Sequence, residues 1–250
     1  MSEETLKKLR QMKLYGMANA LETNLANTQR ENLSCDELIS VLIDAEHDDR
    51  TNRRITRSIK NAHFRYNASI EELHFDVNRN LDRTLINRLA SCKFISKAEN
   101  ILISGSTGVG KSFIASAFGN QACVEGYKVF YSNTKRLFAR LKMSKADGSY
   151  LKELAKLEKI DLLILDDFGL LEFDSFSRNA LVDMIEDRHG RKSTIIASQL
   201  PIALWYEVIG EDTVADMVMD RLVYNAYKLE LEGDNLRKRQ NKKPETRMNT

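Results

Sequence analysis

A stretch of three glycines followed by a lysine and a serine carries the clearest chemistry in this sequence. It reads GSTGVGKS, a complete G-x-x-x-x-G-K-[ST] pattern, and it follows the apolar run ILIS. Glycines let consecutive backbone N–H groups point at phosphate oxygens, and a helix that begins there adds the positive end of its dipole. We expect Lys111 to reach the β- and γ-phosphates and the Ser112 hydroxyl to bind Mg²⁺. The segment predicts a site for ATP and Mg²⁺ made by Gly105, Ser106, Thr107, Gly108, Val109, Gly110, Lys111, Ser112 and Phe113.

Two adjacent carboxylates follow a second apolar run, LLIL, further along the chain. Ligands of open α/β sheets bind at the carboxyl ends of the strands, where Asp166 and Asp167 are expected. We expect Asp166 to hold Mg²⁺, directly or through water, and Asp167 to orient or deprotonate the attacking water. An aspartate after an apolar strand is common for structural reasons alone, so the preceding phosphate loop is what favours the catalytic interpretation.

Polar residues at the end of a third strand, STIIAS, are candidates for contact with the γ-phosphate or the attacking water. That contact requires this strand to lie between the strands that lead to the phosphate loop and to Asp166. We favour Gln199 for the role, with Ser198 second. The alternative interpretation is that both residues only cap a turn.

Arg221 lies on a predicted helix beyond that strand. In ring-forming P-loop ATPases an arginine at this place reaches the nucleotide of the neighbouring subunit, a role that requires an oligomer. The alternative is an ion pair within the chain, with Asp216 or Asp220. For the base of the nucleotide, Leu73 and Phe75 are candidates for an apolar wall and a stacking surface, with core packing as the alternative.

Three basic segments are candidate nucleic-acid surfaces; for the third, the tail at 231–250, we favour a disordered, solubilising role over DNA contact. In the first, arginines recur at steps of three and four along a helix, but pairs with Glu46 and Asp49 would give a solvated, salt-bridged face instead, and both interpretations stay open. The second follows the strand KVFYS, has only Asp147 nearby to offset its charge, and favours DNA contact. The candidate DNA contacts are Arg50, Arg53, Arg54 and Arg57 in the first cluster and Lys135, Arg136, Arg140, Lys142 and Lys145 in the second.

The elements that position these residues change in character near residue 100. Before it, apolar residues at three- and four-residue steps predict helices, the second of them begun by an S-x-x-E capping box at Ser34 and Glu37. After it, short apolar strands alternate with amphipathic helices, which predicts an α/β fold with a parallel sheet covered on both faces. We expect a helical domain for DNA or partner contact at 1–70, an ATPase domain at 71–235 with a connector at 71–98, and a basic, disordered tail at 236–250.

Composition excludes several classes of protein. The 250 residues are 42% hydrophobic and 30% charged, with 2 Pro, which fits a globular chain rather than a disordered or collagen-like one. No apolar run approaches the roughly 20 residues of a membrane span and MSEETLKKLR has no signal-peptide core, so we expect a cytoplasmic protein with no membrane contact. The 3 Cys and 4 His are scattered, which excludes a disulfide framework and argues against a structural metal. At a net charge of +2, only local patches argue for nucleic acid.

Taken together, several runs of the sequence resemble the insertion-sequence ATP-binding proteins called IstB, relatives of the helicase loader DnaC. These runs are the phosphate loop, LLILDDFG, IEDRHGRKSTIIASQLP, ADMVMDRLVYNAYKLELEG, LKKLRQMKLYGMANALE and LDRTLINRLASCKFI. The resemblance implies a P-loop NTPase fold of the AAA+ class, with an additional strand between the Walker A and Walker B strands. It assigns Gly105, Gly110, Lys111 and Ser112 to Walker A, Asp166 and Asp167 to Walker B, Gln199 or Ser198 to the first sensor, and Arg221 to the arginine finger.

The resemblance also implies a function: a helper ATPase that, with ATP bound, assembles as a ring or helical homo-oligomer on duplex DNA. It directs the transposase encoded with it to the target, and hydrolysis leads to disassembly. The sequence departs from many AAA+ proteins in having Asp167 where they carry Glu, and in ending too soon after Leu231 for the usual helical lid. A helicase loader of the DnaC type is the alternative; a P-loop kinase and a DNA-binding scaffold with an inactive nucleotide site fit the motifs less well.

Overall fold

Two compact units make up the chain, Met1–Arg57 and Ser58–Thr250. The computed structural model describes residues 2–26, 34–75, 79–233 and 235–236. The functional division expected at residue 70 stays a prediction, and the expected tail lies outside the described residues from 237 onward. In the described part of the chain, every helix is too short or too polar to cross a membrane.

Helices form the first unit, as the apolar spacing predicts. They are α1 (Ser2–Gln11), α2 (Tyr15–Ala26) and α3 (Cys35–Ala62), of which α3 continues past the division between the units. The predicted capping box begins α3: the Ser34 amide donates to Glu37 Oε2 at 2.7 Å, and the Glu37 amide donates to Ser34 Oγ at 3.3 Å. The buried Glu46 carboxylate accepts from the Gly16 amide at 2.9 Å, which satisfies a free N–H group at the start of α2.

The second unit alternates helices with strands from β1 onward, as predicted. Its strands are β1 (Asn100–Gly105), β2 (Val129–Asn133), β3 (Leu162–Phe168), β4 (Ser193–Ser198) and β5 (Ala226–Leu231). Its helices are α4 (Arg83–Ala90), α5 (Lys93–Ser96), α6 (Lys111–Val124), α7 (Thr134–Ala146), α8 (Tyr150–Glu158), α9 (Ser175–Arg188), α10 (Trp205–Ile209) and α11 (Asp212–Val223), with a 3₁₀ turn at Ile202–Leu204.

All five strands pair in parallel, in the order β2-β3-β4-β1-β5. The strand β4 therefore lies between β1, which leads to the phosphate loop, and β3, which leads to the two aspartates. This confirms the additional strand that the resemblance implies. It also brings the carboxyl ends of β1, β3 and β4 to one edge of the sheet.

Alternate residues of the buried strands pack on opposite faces of the sheet, so apolar clusters lie on both sides. One cluster contains Ile101, Ile103, Ile114, Phe118, Ile164 and Ile195. The other contains Leu102, Leu163, Leu165, Ile196 and Trp205. Helices on both faces of a parallel sheet confirm the predicted fold class.

A buried arginine stabilises the amino-terminal edge of this sheet through several hydrogen bonds. Arg188, 2% exposed, donates to the carbonyl oxygens of Leu157 and Ile160, both at 2.9 Å, to that of Ser193, and to Thr194 Oγ1 at 3.1 Å. Burial lowers the pKa of Arg188 to about 10, so the guanidinium stays charged at neutral pH. One side chain thus satisfies backbone groups from the last turn of α8, from the loop after it and from the start of β4.

Candidate nucleotide site

The glycine-rich segment forms the phosphate loop that its pattern predicts. Gly105 has φ +145°, and a Cβ there would lie 2.3 Å from the Leu231 carbonyl oxygen of β5. Gly110 has φ +106° and directly precedes α6, which begins at Lys111. Positive φ at these positions is open to glycine and strained for other residues. The loop therefore delivers the free N–H groups of the α6 amino terminus to a concave backbone, the arrangement that binds phosphate.

Lys111 lies within this loop, and only 6% of it is exposed. Its ammonium donates to the carbonyl oxygens of Gly105 at 2.7 Å and Ser106 at 2.8 Å. These contacts hold the charge over the concave side of the loop. A phosphate bound there would meet a fixed cation together with the backbone N–H groups.

Ser112 and Asp166 come together as the two motifs predict. The Ser112 hydroxyl donates to Asp166 Oδ1 at 2.9 Å, and Asp166 is 1% exposed. A hydroxyl and a carboxylate are hard oxygen ligands of the kind that Mg²⁺ takes alongside phosphate oxygens. The donor set therefore fits the predicted metal, with Ser112 and Asp166 as the protein groups that would hold it.

The Asp166 carboxylate is fixed by neighbours on other elements. Its Oδ1 also accepts from the Asp167 amide at 3.0 Å, and its Oδ2 accepts from the Tyr131 hydroxyl on β2. Burial, and then the charge of Asp166, raise the pKa of Tyr131, so its hydroxyl remains a hydrogen-bond donor. The Arg65 guanidinium lies 3.4 Å from Oδ2 as well. Sequence reasoning missed Tyr131 and Arg65.

Asp167 has a left-handed backbone, with φ 56°, a conformation that non-glycine residues rarely adopt outside special sites. Its Oδ2 accepts from Asn133 Nδ2 at 2.8 Å and lies 3.4 Å from Arg65 Nη1. Asn133 was also missed by the sequence reasoning. Its Oδ1 accepts from the Arg136 amide at 3.3 Å, which makes Asn133 the N-cap of α7. One side chain thus joins the candidate base to the basic helix α7.

The end of β4 distinguishes the two sensor candidates. The Thr107 hydroxyl of the phosphate loop donates to Gln199 Oε1 at 2.6 Å. Ser198 is fully buried; its hydroxyl donates to the Phe168 carbonyl at 2.8 Å and accepts from the Leu200 amide at 3.0 Å. Ser198 therefore has the turn-capping arrangement, and Gln199 is the polar residue at the phosphate loop.

Arg221 lies away from this site. Its carbonyl oxygen accepts from Asn100 Nδ2 at 3.4 Å, at the start of β1, whereas the phosphate loop follows the end of β1. Its guanidinium donates to the Met217 carbonyl at 3.3 Å and lies 3.3 Å from Glu186 Oε1. The ion pair within the chain therefore exists, but its partner is Glu186 rather than the expected Asp216 or Asp220. The structure does not bring Arg221 to the nucleotide site of its own chain.

Comparison with known proteins identifies the family. The model of a family described as IstB-like ATP binding protein matches residues 7–244. The chain belongs to this family. An insertion sequence ATP-binding protein of Sinorhizobium fredii is 40% identical over 243 residues, which are 97% of this chain and 99% of that protein.

Solved structures show the same fold at low identity. The DnaC helicase loader matches with a TM-score of 0.53 and 20% identity, over 67% of this chain and 98% of that one. AMPPCP-bound DnaA from Aquifex aeolicus matches with a TM-score of 0.57 and 19% identity, over 71% of this chain and 56% of that one. The resemblance is confirmed: this IstB-like chain belongs to a family of ATP-binding proteins, and it has the fold of the DnaC and DnaA structures.

Beside the phosphate loop, the IstB-like chain has a cavity of about 160 Å³ lined by Tyr66 and Phe113, whose ring centroids are 6.2 Å apart. A neighbouring cavity of about 380 Å³ is lined by Leu73, His74 and Phe113 among others. Of the two residues predicted to bind the base, only one lines this cavity. Leu73 lies at the cavity, whereas Phe75 lies under the Arg83 guanidinium, 5.1 Å from ring centroid to Cζ. Tyr66 is a base-site candidate that the sequence reasoning missed.

In the first basic cluster, the structure forms both ion pairs of the alternative interpretation. Arg50 Nε lies 2.7 Å from Glu46 Oε1, and Arg53 Nη2 lies 2.5 Å from Asp49 Oδ2. Arg54 and Arg57 are exposed, and neither has an ion pair within the described residues. A salt-bridged face therefore accounts for half of this cluster.

The second basic cluster lies on α7, and its charge is offset more than expected. Asp147 accepts from Ser149 instead, while Lys142 pairs with Asp174 at 2.9 Å and Arg140 approaches Glu153 at 3.6 Å. The expectation that only Asp147 offsets this helix was wrong, because the other acids come from elsewhere in the chain. Its five basic residues, Lys135, Arg136, Arg140, Lys142 and Lys145, are all exposed.

Along α7 runs a groove of about 970 Å³, which we call the basic groove. It is lined by Lys135, Arg136, Arg140 and Arg65, together with Phe130 and Asp167. The candidate base of the nucleotide site, Asp167, thus lines the same groove as these arginine and lysine residues.

Proposed function

We propose that this chain is an Mg²⁺-dependent ATPase that assists transposition by binding duplex DNA and its partner transposase. The observation that carries the proposal is the hydrogen-bond pair of Asn133, which links Asp167 to the basic helix α7. The family relationship supports the ATP-binding part and the connection with insertion sequences. Hydrolysis, DNA contact and transposase recruitment are our extension of it.

Each residue of the nucleotide site has a proposed role. Lys111 binds the β- and γ-phosphates, and Ser112 and Asp166 hold the metal, which when bound neutralises phosphate charge. Asp167 orients or deprotonates the attacking water, and Gln199 contacts the γ-phosphate or that water. The shorter side chain of Asp167, in place of the Glu of many AAA+ proteins, must approach the water more closely, so we expect slow turnover.

Through Asn133, DNA bound at α7 can affect the candidate base Asp167. A phosphate backbone bound along α7 attracts Lys135 and Arg136, and Arg136 supplies the amide that Asn133 caps. A shift of this first turn moves Asn133 and releases Asp167 from its 2.8 Å hydrogen bond. We therefore expect duplex DNA to stimulate ATP turnover.

Assembly gives Arg221 its proposed role. Because it lies away from its own site, Arg221 would act on the nucleotide of a second copy, where such an arginine is worth roughly 10³ to 10⁵ in rate. ATP then favours a ring or helical assembly, and hydrolysis favours its dissociation. In this proposal residues 1–70 contact DNA or the transposase, residues 71–235 form the ATPase domain, and the protein acts in the cytoplasm.

ATP turnover tests the proposal. The full chain is assayed without DNA, with duplex DNA and with single-stranded DNA, alongside the size of the assembled species. Stimulation by duplex together with ATP-dependent assembly supports the proposal. A preference for single-stranded DNA would instead favour a helicase loader of the DnaC type.

A further inference from the structure

Arg65 connects the nucleotide site with the basic groove. Its Nη1 lies 3.4 Å from Asp166 Oδ2 and 3.4 Å from Asp167 Oδ2, so one guanidinium bridges both carboxylates. Arg65 is a cation that the described residues place against both aspartates. Arg65 is thus the counter-ion of two adjacent negative charges, one of which is buried.

The contact is of a kind that another cation can displace. A distance of 3.4 Å exceeds the roughly 2.7–2.9 Å of a strong charge-assisted hydrogen bond. The Arg65 side chain is 44% exposed, so water screens the attraction. The site that fits Mg²⁺, between Ser112 and Asp166, shares the Asp166 carboxylate with Arg65. A divalent cation there repels the guanidinium and competes for the same charge.

A second environment for Arg65 is already present in the fold. Arg65 lines the basic groove with Lys135, Arg136 and Arg140, and Asp167 lines the same groove. The Arg140 guanidinium lies over the Phe130 ring at 5.1 Å, which shows how an arginine packs on this wall. Once released from the carboxylates, the Arg65 side chain can turn toward the other basic residues of the groove. Because these residues repel it, that position is favourable only if the groove also binds an anion.

We propose that Arg65 is a counter-ion shared by two sites. Without nucleotide it pairs with Asp166 and Asp167; when Mg²⁺ and ATP bind, it turns into the basic groove and contacts a phosphate of duplex DNA. The second half rests on the proposed DNA-binding function. Since binding free energies are linked, duplex in the groove must then also favour Mg²⁺ and ATP.

The first half is tested by Mg²⁺ titration. Binding of a fluorescent, non-hydrolysable ATP analogue to the full chain is followed as Mg²⁺ is added, for wild type, Arg65→Ala and Arg88→Ala. Arg88 is an exposed arginine that contacts Tyr227, away from the aspartates, and serves as the matched control. Removing the competitor is expected to lower the Mg²⁺ concentration at half-saturation about threefold to fivefold, with Arg88→Ala unchanged. An unchanged or higher requirement in Arg65→Ala overturns the proposal.

The second half is tested by the salt dependence of binding to a short duplex, with and without Mg²⁺ and the same analogue. In wild type we expect Mg²⁺ and analogue to steepen the slope of log K against log salt by about 0.9, the value of one added phosphate contact. Arg65→Ala is expected to lose that change, and Arg65→Lys and Arg88→Ala to keep it. If Mg²⁺ and analogue steepen the slope in Arg65→Ala as much as in wild type, the shared role of Arg65 is refuted. A wild-type chain that binds no duplex refutes the proposed DNA-binding function, while the Mg²⁺ titration still decides the first half.

Discussion

Replacing Asn133 by alanine separates the candidate base from the basic helix. The substitution removes the 2.8 Å hydrogen bond to Asp167 and the N-cap contact to the Arg136 amide. A hydrogen bond to a charged group is worth about 1.5–3 kcal/mol, and this pair, which is only partly buried, belongs at the lower end. If turnover requires Asp167 to leave that bond, about 1.5 kcal/mol corresponds to roughly tenfold in rate.

We therefore expect Asn133→Ala to raise turnover without DNA, by up to about tenfold, and to abolish stimulation by duplex. Loss of the cap also lowers the free energy of unfolding by about 1 kcal/mol. Asn133→Ser separates the two effects, because serine caps helices as well as asparagine does but is too short to replace the amide at Asp167. It should share the kinetics of Asn133→Ala at nearly wild-type stability.

The assay is steady-state ATP turnover with and without duplex, paired with urea unfolding of the same samples. If Asn133→Ala and Asn133→Ser are both stimulated by duplex as strongly as wild type, the link from α7 to Asp167 through Asn133 is refuted. Agreement of the two variants in stability would also contradict the cap assignment.

Three further substitutions test other parts of the structure. Tyr131→Phe removes the donor to the buried Asp166 carboxylate and should lower the free energy of unfolding in urea by about 1–2 kcal/mol; a variant as stable as wild type would contradict that contact. Arg188→Ala leaves several buried carbonyl groups without their donor and should cost about 3–5 kcal/mol, so a midpoint shift worth under 1 kcal/mol would argue against the stabilising role. Arg221→Ala should bind ATP normally in a fluorescence titration but lose ATP-dependent assembly and turnover, and unchanged oligomers in sedimentation would rule out its action on a second copy.

The sheet and the nucleotide motifs were predictable because they depend on local patterns. Short apolar runs between amphipathic helices imply parallel βαβ units. The glycine spacing, followed by lysine and serine, is specific to a phosphate-binding loop. Walker strands deliver their residues to one sheet edge, so Ser112 and Asp166 meet as expected.

The residues that surround the two aspartates were not predictable, because their positions depend on long-range pairing. Asn133 reaches Asp167 only because β2 lies beside β3 in a register that pairs Asn133 with Asp166. Knowing that β2 is the edge neighbour of β3 would have identified both Asn133 and Tyr131. Arg65 approaches along an irregular segment after α3 that carries no periodic signal, so its contact with Asp166 has no signature in the sequence.

The predictions of ion pairs were partly wrong for the same reason, since most partners lie far apart in the sequence. The acidic residues that offset the charge of α7 are Glu153 in α8 and Asp174, the N-cap of α9. Both are too far from their partners in the sequence for the spacing of charges to predict these pairs. Arg221 likewise pairs with Glu186 on α9 rather than with acids of its own helix. Pairs at three- and four-residue steps, such as Glu46 with Arg50, were the ones that the sequence could indicate.

ATP turnover by wild type and Lys111→Ala decides whether hydrolysis at this site responds to duplex DNA. Both are assayed without DNA, with duplex and with single-stranded DNA, while light scattering follows assembly. We predict duplex-stimulated turnover and ATP-dependent large assemblies for wild type, and neither for Lys111→Ala. Wild-type turnover that is indifferent to both forms of DNA would refute the coupling of hydrolysis to duplex binding.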